Sequence, residues 1–131
     1  MKYLDVAAIV LPLAQVIGRL GNFFNKELYG LPTNLPWGLK IDGIKYHPVF
    51  AYEMILNLIL FSILYTKKFP KTNGGYYFYS YLLGYGLIRA LMQLFRACMW
   101  EQSLKNGAIA ISLCFIAIGT LNLILLTSEK H

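Results

Sequence analysis

Three arginines stand in or at the end of apolar segments that are long enough to cross a membrane. Arg19 follows an uncharged run over residues 6–18, and Arg89 and Arg96 lie in another apolar segment. A charged side chain at the centre of a membrane helix costs roughly 2.5–3.5 kcal/mol on insertion scales. Each guanidinium therefore needs a carboxylate, a water-filled cavity or an anionic ligand.

The segment that carries Arg89 and Arg96 has a polar stripe along one side. Tyr81, Tyr85, Arg89 and Gln93 are each four residues apart, and Arg96 follows three residues later. Residues with these spacings share one face of an α-helix. Because such a face is unfavourable in lipid, we expect it to point towards other helices or a polar cavity.

A further polar cluster occurs in "HPVFAYE", where another apolar segment begins. Pro48 suits the first turn of a helix, His47 precedes it, and Tyr52, Glu53 and Asn57 follow within three turns. We expect three helices to bring their polar side chains to one depth on one side of the membrane. This predicted group comprises Arg19, Asn22, Asn25, Glu27, His47, Glu53, Arg89 and Arg96.

Two interpretations of this group remain open from the residues alone. Glu53 could neutralise one arginine and Glu27 another, which would make the group a clamp that fixes helix packing. Three arginines against two carboxylates leave one guanidinium over, however, and a guanidinium fork matches phosphate in a bidentate manner. The second interpretation is therefore a site for the headgroup of an acidic phospholipid.

The composition is typical of a membrane protein. Hydrophobic residues make up 57% of the 131-residue chain and charged residues 14%, whereas soluble domains average about 25% charged residues. The net charge of +6 is spread over loops and helix ends, a pattern that favours membrane anchoring over a nucleic-acid partner. Cys98 and Cys114 lack a paired Cys/His ligand set, so neither a metal site nor a cofactor is predicted.

The predicted fold class is an all-α integral membrane protein with a single transmembrane domain over residues 1–131. A hydrocarbon core of about 30 Å takes roughly 20 helical residues to cross. The loop 25–47 contains prolines and glycines that exclude a helix, and its Asp-Gly between alternating apolar residues predicts a small hairpin. The four predicted spans are residues 4–24, 48–66, 76–98 and 107–127.

Charges in the short loops predict the orientation of the helices. The loop "TKKFPKTNGG" has three lysines and no acid, which is typical of a cytoplasmic loop. Lys2 and Lys130 then fall on the same side. We therefore expect both termini in the cytoplasm, with the long loop after the first helix and the polar group on the external side.

The stretch "GRLGNFFNKELYG" at residues 18–30 resembles the signature of the bacterial phosphatidylglycerol–prolipoprotein diacylglyceryl transferases. That signature is roughly Gly-Arg-x-Gly-Asn-Phe-x-Asn-x-Glu, followed by an aromatic residue and glycine. "HPVFAYE" is similar to the family's His-Pro-x-x-x-Tyr-Glu, and "GLIRALMQLFR" resembles its late arginine-bearing helix. The likeness extends from about Asp5 to the end of the chain.

The resemblance implies a transferase in the bacterial cytoplasmic membrane. Family members move the diacylglyceryl group of phosphatidylglycerol to the thiol of a lipobox cysteine in a preprolipoprotein, and glycerol phosphate leaves. The nucleophilic cysteine belongs to the substrate, so Cys98 and Cys114 need no catalytic role. The implied partners are phosphatidylglycerol, or another anionic phospholipid, and the preprolipoprotein.

The resemblance also implies site residues, position by position. Those that match functional positions of the family are Arg19, Asn22, Glu27, Gly30 and Arg89. The expected catalytic residues are Arg89, Arg19 and His47. The expected substrate-binding residues are Arg19, Asn22, Asn25, Glu27, Gly30, Tyr52, Glu53, Tyr85, Gln93 and Arg96.

The chain departs from the family pattern in several places. It resembles the C-terminal half, whereas the family's N-terminal half carries further helices, a functional tyrosine and a His-Gly-Gly stretch whose histidine is proposed as the base. Gln93 stands where the family usually has glutamate, and Lys26 where glycine is common. His47 is the candidate base here, since an ordinary imidazole has a suitable pKa.

An alternative function is a non-catalytic protein that binds anionic phospholipid, or a partner of a full-length transferase. Four helices bury little area, and the polar stripe needs cover from lipid. We therefore also expect a homo-oligomer or a partner subunit.

Overall fold

The computed structural model describes residues 2–26, 29–67, 74–94 and 102–129, the last with side chains from residue 106. These ranges contain four helices and one hairpin, as the apolar segments and the Asp-Gly pair predict. The elements are α1 (Lys2–Asn25), β1 (Leu39–Ile41), β2 (Ile44–Tyr46), α2 (Val49–Thr66), α3 (Tyr76–Gln93) and α4 (Gln102–Ser128). The all-α membrane fold is confirmed. The predicted bounds of α1 and α2 lie within two residues of those observed, whereas α4 begins at Gln102, before its predicted start at residue 107.

Three of the helices in these ranges are long and apolar enough to cross a membrane: α1, α2 and the Asn106–Ser128 part of α4. The described part of α3 does not meet the same criterion, because tyrosines and the polar stripe lower its hydropathy. The predicted end of this segment, near residue 98, lies outside the described residues. The stripe is nevertheless directed towards other helices, as expected, because Tyr81 contacts α1 and Arg89 contacts α2.

The described helices pack unequally. α1 packs against α2 and α3, α2 also packs against α3, and α4 packs against α3 alone. The α3–α4 contact is close because two glycines remove side chains from it. A Cβ on Gly86 would lie 3.0 Å from the Ser112 carbonyl oxygen, and one on Gly119 would lie 2.8 Å from that of Tyr79. The backbones therefore approach as small residues allow in membrane helices.

Substitution of Gly119 by valine is expected to loosen the α3–α4 contact. The new Cβ would meet backbone atoms of Tyr79 and Leu83, and such overpacking costs about 1–3 kcal/mol. Thermal unfolding in detergent micelles should start at a lower temperature than for the unchanged protein. Gly107→Val is the matched control, because a Cβ on this α4 glycine meets nothing within 4 Å. Equal effects of the two substitutions would contradict the packing described.

The N-terminus of α3 is capped by a residue from the start of α1. The Asp5 carboxylate accepts hydrogen bonds from the backbone N–H of Gly75 (2.6 Å) and Phe78 (3.0 Å). Free N–H groups at a helix start carry partial positive charge, so a carboxylate there is favourable. Gly75 itself has a left-handed φ of 113°, which glycine adopts without strain. This cap fixes the depth of α3 relative to α1.

We expect Asp5→Ala to lower the free energy of unfolding by about 0.5–2 kcal/mol, the usual effect of losing a helix cap. The free energy of unfolding of Asp5→Asn should lie between those of Asp5→Ala and the unchanged protein, because the amide keeps one acceptor oxygen but carries no charge. The measurement is unfolding by titration with sodium dodecyl sulfate in mixed micelles. Lys2→Gln, an exposed change at the same end of α1, provides the control. An unfolding curve for Asp5→Ala that matches that of the unchanged protein would contradict the capping role of Asp5.

The loop between α1 and α2 forms a small platform at one end of the bundle. The turn of its hairpin has positive φ at both Asp42 (48°) and Gly43 (85°), the pattern of a type I′ turn. β1 and β2 pair antiparallel, with Lys40 opposite Lys45. Residues 30–33 follow the other edge of β2, where the Thr33 N–H donates to the Lys45 carbonyl oxygen at 2.8 Å.

α1 ends at Asn25 because the next residue leaves the helical conformation. Lys26 has a φ of 54°, in the left-handed region that favours glycine at a helix C-terminus. Glycine, which the sequence resemblance gives as common at this position, adopts such a φ without strain. The lysine keeps the turn but pays a steric cost that glycine does not.

Candidate functional site

A buried carboxylate joins two arginines at one end of the bundle. Glu53 is 2% exposed, and its Oε2 lies 2.5 Å from Nη2 of Arg19. Its Oε1 lies 3.9 Å from Nη1 of Arg89. One glutamate therefore holds two of the three predicted arginines, and we call these three residues the Arg–Glu–Arg cluster.

The helix directions explain why these residues meet. Arg19 lies near the C-terminus of α1, Glu53 near the N-terminus of α2, and Arg89 near the C-terminus of α3. Since α2 runs antiparallel to both neighbours, these three helix ends lie at the same level. The sequence spacing predicted this common depth. Which carboxylate serves which arginine depends on packing.

The charges in the cluster do not cancel. Two guanidiniums face one carboxylate, and the 3.9 Å contact of Arg89 is longer than a hydrogen bond. The Arg89 side chain is 29% exposed, whereas that of Arg19 is 17% exposed. Arg89 therefore retains guanidinium N–H groups that an anion can reach, and Arg19 is committed more tightly to Glu53.

An open cavity of about 280 Å³ adjoins the cluster. It is lined by Gln15, Gly18, Arg19 and Asn22, which lie along one side of α1. Gly18 has no side chain that would project into the cavity, and a Cβ there would meet nothing within 4 Å. The volume is near the lower end of ligand pockets, about 300 Å³.

A second polar layer lies one helical turn deeper in the bundle. Gln15, one turn before Arg19, donates from Nε2 to the Tyr81 hydroxyl at 2.8 Å. Asn57, one turn after Glu53, is 2% exposed. Within the described ranges, the buried side-chain oxygens of Gln15 and Asn57 accept no hydrogen bond. Buried polar groups of this kind usually bind water or a ligand.

Neither Gln15 nor Asn57 was among the predicted site residues. Each stands four residues from a charged member of the cluster, so helical spacing alone could have indicated it. Tyr81 belongs to the predicted stripe, and its ring stacks on that of Tyr85 with centroids 5.6 Å apart. The stripe therefore continues the site into the bundle.

The imidazole ring of His47 contacts Tyr52. Its Nδ1 lies 3.1 Å from the Tyr52 hydroxyl, which also accepts a hydrogen bond from Nε1 of Trp37 at 3.0 Å. The backbone of His47 bonds to Gly30 and Leu31. The structure thus places Tyr52 and His47 beside Glu53 along the chain and ties Gly30 to them.

Of the remaining predicted residues, three lie within the described ranges and two do not. Asn22 lines the cavity, Asn25 is the exposed last residue of α1, and Gln93 is the half-buried last residue of α3. Glu27 and Arg96 lie outside the described residues. Within the described part of the chain, no three His, Cys, Asp or Glu side chains lie close enough together to hold a metal ion.

Comparison with known sequences gives a consistent result. The family model described as "Prolipoprotein diacylglyceryl transferase" matches residues 1–125. Phosphatidylglycerol–prolipoprotein diacylglyceryl transferase of Finegoldia magna is 42% identical over 113 residues, 86% of this chain and 44% of the relative. The Clostridioides difficile relative of the same name is 36% identical over 121 residues, 92% of this chain and 47% of its own length.

A Campylobacter jejuni relative with the same name is 41% identical over 95 residues, which is 72% of this chain and 35% of the relative. The chain thus spans about half the length, or less, of these curated relatives. No solved structure matches the chain significantly.

Proposed function

The chain belongs to the prolipoprotein diacylglyceryl transferase family, and from this premise we propose that it transfers a diacylglyceryl group from phosphatidylglycerol to a cysteine thiol of a prolipoprotein. The observation that carries the proposal is the Arg–Glu–Arg cluster, in which two guanidiniums face one carboxylate and Arg19 lines an open cavity. Both substrates are those in the names of its relatives. The roles of the site residues, by contrast, are argued from the contacts within this chain.

The reaction is a displacement at carbon. The sulfur of the acceptor cysteine forms a bond to the glyceryl carbon, and the bond between that carbon and the phosphate oxygen breaks. Glycerol phosphate leaves with the bonding electrons, and the thiol proton passes to a base. Negative charge on the departing phosphate increases as the bond breaks, so positioned guanidiniums in a water-poor site stabilise the transition state.

The two arginines have different parts in this proposal. Arg89, whose guanidinium N–H groups are accessible, binds the phosphate. It stabilises the negative charge that increases on the phosphate as the bond breaks. Arg19 is fixed by Glu53 and forms one wall of the cavity. Asn22, in the same wall, donates to the headgroup through its amide. We place Asn25, Glu27, Gly30, Tyr85, Gln93 and Arg96 around the same substrate.

His47 is the proposed base. In the tautomer in which Nδ1 donates to the Tyr52 hydroxyl, the lone pair of Nε2 is the one that can accept a thiol proton. Thiolate is the attacking species, so removal of this proton is required. Tyr52 acts here as a positioning residue for the imidazole ring.

We place the protein in the bacterial cytoplasmic membrane, with both termini in the cytoplasm and the cluster near the external surface. The acid-free lysine loop supports this orientation. A second copy or a partner subunit covers the cavity side of α1, where polar groups would otherwise face lipid. Chemical cross-linking in native membranes tests this assembly, and a monomer without a partner would count against it.

The test of the function uses purified protein in phosphatidylglycerol nanodiscs with a lipobox peptide. Glycerol phosphate release and the mass of the lipidated peptide are measured together. We expect release that requires both the lipid and the thiol. A peptide with serine in place of cysteine and nanodiscs of phosphatidylcholine are the controls. Retention of phosphatidylglycerol without release would instead support a lipid-binding protein.

A further inference from the structure

One edge of the external hairpin offers backbone hydrogen-bonding groups that the described structure does not use. The two-residue turn makes Ile41 and Ile44 a hydrogen-bonded pair. Alternation then makes Lys40 and Lys45 a pair whose own N–H and C=O groups point away from each other. The Lys45 carbonyl confirms this register, because it accepts from Thr33 on the far side of β2.

The two edges of the hairpin differ. Residues 30–33 occupy the outer edge of β2 through backbone hydrogen bonds. Among the described helices and strands, β1 contacts β2 alone, and Lys40 is exposed. The N–H and C=O of Lys40 therefore stand open on the outer edge of β1. An open strand edge is a template for another extended chain.

Charge indicates what this edge accepts. Lys40 and Lys45 lie directly opposite each other, and like charges in that arrangement destabilise a hairpin. Neither forms an ion pair with any described carboxylate. An acidic side chain on the same face would relieve the repulsion. A strand added beside β1 brings its side chains to that face at every second residue.

We propose that the outer edge of β1 binds an extended segment of the polypeptide acceptor by strand addition, with an acidic residue placed beside Lys40. This inference rests on the proposed function, because the acceptor of that reaction is a polypeptide. The edge is suitably placed, since the same loop contacts the site through the Trp37–Tyr52 hydrogen bond. Pairing would hold the acceptor extended beside the cluster while its cysteine reacts.

The experiment measures binding rather than turnover. Short fluorescein-labelled peptides with glutamate, glutamine or lysine at one central position are titrated with protein in phosphatidylcholine nanodiscs, and anisotropy is recorded. We expect the glutamate peptide to bind tightest and the lysine peptide weakest. N-methylation of successive peptide residues should weaken binding at every second position, because alternate N–H groups pair with the edge.

Two substitutions separate backbone pairing from charge. Lys40→Pro removes the outward N–H but leaves the hydrogen bonds to β2, a place where edge strands tolerate proline. Lys40→Gln removes the charge and keeps the N–H. Lys40→Pro should weaken binding of the uncharged glutamine peptide about fivefold, the effect of one net hydrogen bond. Lys40→Gln should leave the binding of that peptide unchanged and reduce the preference for the glutamate peptide.

The outcomes distinguish this proposal from the function on which it rests. If neither N-methylation of the peptide nor Lys40→Pro changes the peptide affinity, strand addition is overturned, even if turnover is normal. Loss of peptide binding when phosphatidylglycerol is added, without an N-methyl pattern, would assign the lysines to lipid headgroups and also overturn it. Alternating N-methyl sensitivity without any glycerol phosphate release would support the binding edge and refute the transferase.

Discussion

Replacement of Arg89 by glutamine is expected to lower turnover about 100- to 1,000-fold, the range found when one donor to a developing oxyanion is removed. Glutamine can still donate a hydrogen bond, but it provides no charge for the departing phosphate. The physical basis is the long contact of Arg89 with Glu53, 3.9 Å, which leaves this guanidinium reachable by a substrate. Glycerol phosphate release in nanodiscs measures the effect.

The same substitution should hardly change stability. Arg89 makes a loose ion contact and is partly exposed, so its removal leaves Glu53 paired with Arg19. Arg89→Lys distinguishes charge from geometry: lysine keeps the charge without the bidentate fork and should recover only part of the rate. Lys2→Gln, an exposed change at the end of α1 remote from Arg19, is a control for general loss of positive charge. Turnover of Arg89→Gln near the wild-type level would remove Arg89 from the catalytic residues.

Removal of the buried carboxylate is expected to have the largest effect on stability. In Glu53→Leu, Arg19 keeps a largely buried charge without a partner. Breaking a buried ion pair from one side costs about 3–5 kcal/mol. The free energy of unfolding should fall by that amount, measured by titration with sodium dodecyl sulfate in mixed micelles.

The double variant Arg19→Leu/Glu53→Leu tests the cause. If the cost comes from an unpaired charge, the double variant should be markedly more stable than Glu53→Leu alone, because replacing both partners of a buried pair is often neutral. It should also be inactive, since the cavity loses its guanidinium. Strictly additive losses would show that Arg19 and Glu53 are not coupled. Leu58→Ala, an exposed position of α2, is a control for side-chain truncation.

The cluster combines the two interpretations that the residues left open. Glu53 neutralises part of the charge, as a structural clamp requires. It serves two arginines rather than one, so positive charge remains for an anion. Glu27, the second carboxylate of the prediction, lies outside the described residues. Under the proposed function, this single buried acid fixes helix packing and leaves Arg89 to bind the phosphate.

Several features of this protein were determined by the sequence itself. Apolar length placed α1, α2 and α4, because the cost of unpaired backbone in lipid requires helical segments long enough to cross, and the four-residue spacing of its polar stripe indicated that α3 is a helix. The Asp-Gly pair placed the hairpin, because its turn needs positive φ at two positions. The common level of Arg19, Glu53 and Arg89 followed from helix direction and spacing. These signals depend on segment length, residue spacing and turn residues, and none of them requires knowledge of how the helices pack.

Other features were decided by the tertiary structure. Which arginine binds Glu53 tightly depends on how each helix is rotated about its axis, and packing sets that rotation. Contacts at Gly86 and Gly119 fix α3 against α4, and Asp5 fixes the start of α3. No local pattern in the sequence reports the rotation of one helix against another. The Arg–Glu–Arg cluster and the polar layer beneath it therefore became visible only in the assembled bundle.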